Sequence, residues 1–149
     1  MTDVAVASDH VCAVSEDAAI LCQGVNNRGQ LGNGLTLDSL DAPVEVLTID
    51  DAVEVSAGTG FSCARLTSGE AWCWGWGDRV GDGTTIDRPE PVRVELGADA
   101  IALRSGTAST CALLDSGAIQ CWGGNDRGQL GDGTTEDRNA PVDVSPPVE

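Results

Sequence analysis

Along much of this chain apolar and polar residues alternate over short stretches, at period two and not at helical spacing. Ala52-Val53-Glu54-Val55 predicts a half-buried strand. Ser62-Cys63-Ala64-Arg65-Leu66 predicts a second strand, and Glu70-Ala71-Trp72-Cys73-Trp74 a third. Between these two, Thr67-Ser68-Gly69 supplies turn residues, with a glycine able to take positive φ. A loop rich in Gly and Asp follows. Pro91-Val92-Arg93-Val94 then reads as a last short strand, its proline at the first position, where no interior ladder bond is lost.

The same order of segments occurs three times. Cysteines fall at 12 and 22, at 63 and 73, and at 111 and 121, and each pair is followed by a parallel stretch: CQGVNNRGQLGNG, CWGWGDRVGDGTT and CWGGNDRGQLGDGTT. Each copy then reaches a Pro-Val pair, at Pro43-Val44, Pro91-Val92 and Pro141-Val142. The period of about 50 residues and the four short strands per unit are those of propeller blades. The predicted fold is therefore all-β. It is a single repeat array over 1–149, made of three four-stranded propeller-type blades at approximately 1–50, 51–98 and 99–149. A two-helix repeat is the main competitor, and the alternation and turn density argue against it. Propellers close with about four to eight blades. Three blades predict an open arc, or part of a six- or seven-bladed β-propeller, whose end faces are covered by further repeats of a longer chain or by a second copy.

The stretches CWGGNDRGQLGDGTTEDRNAPVDV in the third copy and SCARLTSGEAWCWG in the second resemble the regulator of chromosome condensation repeat family, over essentially the whole chain. That resemblance implies seven-bladed propellers of four-stranded blades. It also implies a choice of roles: exchange factor for a small GTPase on chromatin, β-lactamase inhibitor, or general interaction module. None of these activities carries over residue by residue. His10, two before Cys12, looks like the family's His-Ser position, where Phe61 and Ser109 stand in the other copies. Two departures stand out. The second copy lacks two loop residues, and the first has Gln23 where Trp74 and Trp122 stand.

Composition narrows the function. With 4 Trp, 1 Phe and no Tyr, the core is built from Val, Leu, Ile and Ala around a few tryptophans. The net charge is −16, and no copy is basic, which argues against binding nucleic acid or an anionic membrane. No apolar run is long enough for membrane insertion. The segment after Met1, TDVAVASDHVCAV, has neither a basic region nor a long apolar core, so no signal peptide is read there.

Repeat symmetry pairs Cys12 with Cys22, Cys63 with Cys73 and Cys111 with Cys121. In a hairpin centred on residue 68, positions 63 and 73 are opposed, at about the 4.5 Å Cα separation that a disulfide can bridge. Reduced buried thiols and a zinc site are the competing readings, and the spacing suits zinc poorly. Disulfides would place the protein outside the cell or in the cell envelope, with any signal lying outside this chain.

Catalytic chemistry finds little support. His10 is the single histidine, and neither a G-x-S-x-G elbow nor a phosphate-binding loop is present. Asp82 with Asp87, and Asp132 with Asp137, recur in the GDGTTxDR loop. The expected role is a turn in which Asp bonds backbone N–H groups and pairs with Arg88 or Arg138. Calcium binding and carboxylate-based hydrolase or lyase chemistry are the sharper alternatives; the loop lacks recognised calcium spacings. No cofactor and no metal site is expected. Trp72, Trp74 and Trp122 read as core. Trp76 sits in the shortened loop, as a binding hot spot or as cover for the deletion. The leading expectation is a non-enzymatic interaction module of an exported or cell-surface protein, binding an unknown protein partner through loops. The candidate contacts are Asn26, Asn27, Arg28, Trp76, Asp78, Arg79, Asn125, Asp126 and Arg127. Inhibition of a secreted enzyme is the alternative.

Overall fold

The computed structural model describes residues 1–145. The first sheet comprises β1 (Asp3–Val6), β2 (His10–Val14), β3 (Ile20–Gly24) and β4 (Ser39–Glu45). The second comprises β5 (Ala52–Gly58), β6 (Phe61–Leu66) and β7 (Ala71–Gly75), then the single turn α1 (Gly77–Val80) and β8 (Arg88–Val94). β9 (Ala100–Ser105), β10 (Ser109–Leu114), β11 (Ile119–Gly123) and β12 (Arg138–Asp143) make the third. Each is a four-stranded antiparallel meander in chain order, as expected of a propeller blade. β1, β5 and β9 lie side by side along the inner edge.

The last strand of each blade starts earlier than its Pro-Val pair predicts. Gly75 pairs with Arg88 and Cys73 with Val92, so the intervening residues of β8 bulge away from β7. Pro91 thus stands at the re-entry into regular pairing on an outermost strand, where its missing N–H costs no ladder bond. Pro43 and Pro141 hold the same place in β4 and β12.

Cys12–Cys22, Cys63–Cys73 and Cys111–Cys121 are directly opposed in register and joined as disulfides, with Cα–Cα separations of 4.1, 4.0 and 4.1 Å. No cysteine is left to ligate zinc. The hairpin turns that these bonds close put their third residue in the left-handed region: Gly69 at φ 89° and Gly117 at φ 88°. The first blade has Ala18 there, at φ 63°. Its Cβ makes that conformation cost about 1–2 kcal/mol.

Burial is concentrated where blades meet. Cys12, Val14, Ile20, Cys22, Leu31 and Val46 of the first blade pack on Val55, Ala64 and Trp74 of the second. Phe61, Cys63, Ala71, Cys73, Val80 and Val94 pack on Leu103, Ala112 and Trp122 of the third. Carboxylates on the inner strands span the same joints. Asp3 accepts the Val55 N–H at 2.9 Å, and Glu54 accepts that of Leu103 at 3.0 Å.

Two outcomes are expected. Denatured without reductant, the protein exposes no reactive thiol; with reductant it melts at lower temperature, since each closed loop contributes roughly 2.8 kcal/mol in the chain-entropy model. Both are read by thiol titration and thermal melts. Ala18→Gly raises stability by about 1 kcal/mol in a denaturant titration, because glycine takes positive φ without the Cβ clash.

Candidate functional site

Three sets of loops share one rim of the arc. The turn between the first two strands of each blade hydrogen-bonds to the chain leaving its third strand: Val25 N–H to Asp9 O, Trp76 N–H to Gly60 O, and Gly124 N–H to Ala108 O, at 2.8–2.9 Å. The candidate contact residues all lie in these loops, but not all face outward.

Asn26 and Asn125 are fully buried, which removes them as partner contacts. Each is the internal scaffold of its loop. Asn26 Oδ1 accepts the Leu31 N–H at 2.9 Å, and its amide donates to the carbonyls of Leu35 and Leu37, both at 3.0 Å. Asn125 repeats the pattern with Leu130, Thr134 and Glu136. A backbone with no regular structure has to satisfy its polar groups somewhere, and an amide side chain can serve four of them at once. Asn27, Asp126 and Arg127 remain exposed.

The shortened loop of the second blade folds differently. Gly77 replaces the buried asparagine, its N–H still reaching Asp87 Oδ1 at 2.9 Å, and the chain closes as α1. Trp76 consequently lies over Gly60, in contact with two guanidinium groups. Arg28 from the first blade is 4.6 Å from the ring centroid, and Arg79 is 3.8 Å away. Such contacts are worth about 0.5–2 kcal/mol each, depending on exposure. Arg28 also pairs with Asp87 at 3.1 Å. Arg79 donates to the carbonyls of Thr59 at 2.6 Å and Thr107 at 3.3 Å, fastening the second blade to the third. Burial lowers the Arg79 pKa, with Asp78 acting against the shift. Trp76 is half-buried, so it covers the gap and still presents ring area.

The structure thus brings together Arg28, Trp76, Asp78 and Arg79, while Asp126 and Arg127 sit farther along the rim. They line a groove with Thr107 and Ala108. Thr59 and Thr107 escaped the sequence reading: their contribution is a backbone carbonyl, which leaves no mark in residue type.

Below this rim, Asp9, His10 and Ser62 stand in line. Asp9 Oδ1 is 2.8 Å from His10 Nδ1, and His10 Nε2 is 2.6 Å from Ser62 Oγ. The order matches a nucleophilic triad, but Ser62 is completely buried and its hydroxyl also lies 3.0 Å from the Gln30 carbonyl. Asp9 Oδ2 accepts from Gly60 N–H and Gln30 Nε2. No substrate reaches the hydroxyl. The line is a strap from the first blade to the second. Burial lowers the His10 pKa, and the Asp9 hydrogen bond offsets only part of that shift. In the neutral ring Nδ1 donates to Asp9 and Nε2 faces the Ser62 hydroxyl, whose single proton is shared between Nε2 and the Gln30 carbonyl.

The recurrent aspartates are committed to their turns. Asp82 Oδ1 accepts from the Thr84 N–H and hydroxyl, and Oδ2 from Arg88 Nε at 2.7 Å. Asp132 does the same with Thr134 and Arg138. Burial raises the Asp82 pKa, and the Thr84 and Arg88 bonds outweigh it, leaving the carboxyl below its usual value. Thr134 and then Arg138 hold that of Asp132 well below the carboxylate range. Among the described residues no group of three or more His, Cys, Asp or Glu side chains is placed to hold a metal ion. No helix of the described residues is long and apolar enough to cross a membrane.

Comparison with known proteins agrees with this architecture. The family profile described as Regulator of chromosome condensation (RCC1) repeat matches residues 17–65 and 116–149, and a second profile of the same description matches 52–79 and 101–129. The ultraviolet-B receptor UVR8 of Arabidopsis thaliana is 32% identical over 99 residues, covering 64% of this chain and 22% of that protein. The E3 ubiquitin-protein ligase HERC2 of Homo sapiens is 33% identical over 94 residues, covering 59% of this chain and 2% of that one. The chain thus spans less than a quarter of the length of either relative. Human WBSCR16 superposes with a TM-score of 0.87 at 24% identity, over 97% of this chain and 39% of that structure. Yeast RCC1 (Prp20), solved with Kap60, gives 0.83 at 18%, over 95% and 36%.

The His10 strap predicts a pH response. Its folded pKa lies below the ordinary 6.5, so the unfolded chain takes up the proton first, and stability falls as pH drops below about 6.5. Above that it is flat for this group. His10→Phe, which copies the residue of the second blade, removes the slope and costs about 1–3 kcal/mol by deleting the hydrogen bonds that His10 makes to Asp9 and Ser62. Melts from pH 8 to pH 5 on both proteins check this. A separate loss, from Asp82 and Asp132, begins only below about 3.8.

Proposed function

Since this chain belongs to the regulator of chromosome condensation repeat family, a family of protein-interaction propellers, we propose that it binds a protein partner on the rim carrying Arg28, Trp76 and Arg79. The observation that carries the reading is the tryptophan stacked with two arginines from different blades. Trp and Arg are the residue types that dominate binding energy at protein interfaces. Here the ring is held in place before any partner arrives, so little side-chain freedom is lost on binding. Asp78 and Asn27 flank it, and Asp126 and Arg127 extend the contact along the same rim.

The protein acts by binding and not by catalysis. The one serine–histidine–aspartate line is sealed inside a joint, and the recurrent carboxylates are spent on their own turns. Three disulfides suit an exported or cell-surface setting, and a net charge of −16 suits a solvated outer surface. Yeast Prp20, of the same fold, has been characterised for binding Gsp1p and histones.

A photo-crosslinker placed at residue 76 tests the reading against one at Glu16, in the hairpin turn at the opposite end of β2. With extract and secreted fractions of the source organism, position 76 should capture one discrete protein and position 16 should not. Unlabelled wild-type chain should compete for that capture, and Trp76→Ala should compete at least about tenfold less well while melting within a few degrees of wild type. Equal capture at both positions, or equal competition by Trp76→Ala, overturns the proposal.

A further inference from the structure

The loop of the first blade departs from its counterparts at three linked positions. Asp82 and Asp132 each bond a threonine two residues on and an arginine six residues on. In those places the first blade has Asn33, Leu35 and Ser39. The carboxylate and the guanidinium that would neutralise it are lost together, and a neutral amide takes over the turn. Asn33 Oδ1 accepts the Leu35 N–H and the Asn26 amide, both at 3.2 Å. Asn33 is half-buried and Leu35 beside it is exposed, so water reaches this turn.

Asn33 is also the one asparagine of five that is followed by glycine. Without a Cβ on the following residue, the backbone nitrogen can approach the asparagine side chain unhindered. When its N–H is free, the Gly34 nitrogen can attack the Asn33 Cγ. That bond forms, the Cγ–Nδ2 bond breaks, and the Gly34 proton leaves with the amide nitrogen as ammonia. Water then opens the five-membered imide at either of its two carbonyls, leaving an aspartate on an ordinary or a β-linked backbone.

In the closed protein that nitrogen is engaged. The Gly34 N–H donates to the Pro89 carbonyl of the second blade at 2.9 Å, across the first joint. The bonds to Asn33 Oδ1 hold the side chain in the turn as well. We propose that Asn33–Gly34 is a deamidation site guarded by the first joint: it reacts only when the Gly34–Pro89 contact opens, and the carboxylate it yields weakens that contact permanently. The product finds Ser39 where the other blades supply an arginine. The second blade brings a like charge to the same turn, as Glu90 Oε1 lies 3.3 Å from the place of a Cβ on Gly34. A β-linked product also lengthens the backbone between Gly32, which lies under Trp74, and the Gly34 clasp.

Peptide mapping by mass spectrometry, on wild-type chain held at mildly alkaline pH, reads the reaction at Asn33 against Asn27 and Asn139 in the same sample. In denaturant Asn33 should react at least about tenfold faster than either, and at least about tenfold faster than in native buffer. Across sub-denaturing urea its rate should rise in parallel with hydrogen exchange of the Gly34 amide, because both need the same opening. Equal rates with and without denaturant, or a rate that stays flat while Gly34 exchange rises, overturn the guard. Asn33→Asp, which copies the ordinary product, should melt a few degrees below wild type. Adding Leu35→Thr and Ser39→Arg, the set found in the third blade, should recover most of that loss. Asn33→Asp melting with wild type overturns the weakening. If Asn33→Asp fails to fold, the triple variant decides: folding supports the proposal, and failure to fold overturns it.

Discussion

A four-stranded blade has two faces and no interior, so this protein can bury apolar surface only where one blade lies flat against the next. Everything else depends on that contact. Trp74 and Trp122, the glycines beneath them and two of the three disulfides sit at the joints, and most of the fully buried apolar side chains gather into two clusters, one per joint. With aromatics at 3% of the chain, Trp74, Trp122 and Phe61 are the fully buried large rings at the joints. The glycines below them hold that role by lack of a side chain, and no other residue could let the ring approach so closely.

Around this constraint the joints differ in their polar fittings. The first is laced by Asp9, His10, Gln30 and Ser62. In the second Phe61 takes the histidine's place, and Thr110, bonded to Ser105 at 2.9 Å, takes that of Ser62. The two-residue deletion in the second blade's loop has consequences on both sides. In the joint that this loop forms with the third blade, the Trp122 indole N–H is buried with no partner among the described residues, a loss of about 1–3 kcal/mol. The deletion also turns the loop into α1, which brings Arg79 across to Thr59 and Thr107 and lays Trp76 against Arg28.

Much of this was legible in the chain. The strands at 62–66 and 70–74 follow from alternation, and the register follows from cysteines set equally either side of a Thr-Ser-Gly turn. The turn role of Asp82 and Asp132 was readable because a short acidic side chain followed by Thr and Arg has few other ways to satisfy itself. The burial of Asn26 and Asn125 was not. A polar residue in a Gly-rich loop looks like a surface residue until the loop closes around it, and only the path of residues 31–37 and 130–136 decides which. The strap of His10 to Ser62 was equally hidden, because its partners lie 52 residues apart and neither local pattern mentions the other.

The sequence by itself determined the blade: its four strands, its disulfides and its threefold repetition, all set by contacts within about a dozen residues along the chain. The tertiary structure alone decided what the blades do to one another. It placed two arginines from different blades on one tryptophan and sealed a triad-like line beyond the reach of any substrate. Those outcomes depend on distances between separate sheets, and alternation along a strand holds no record of them.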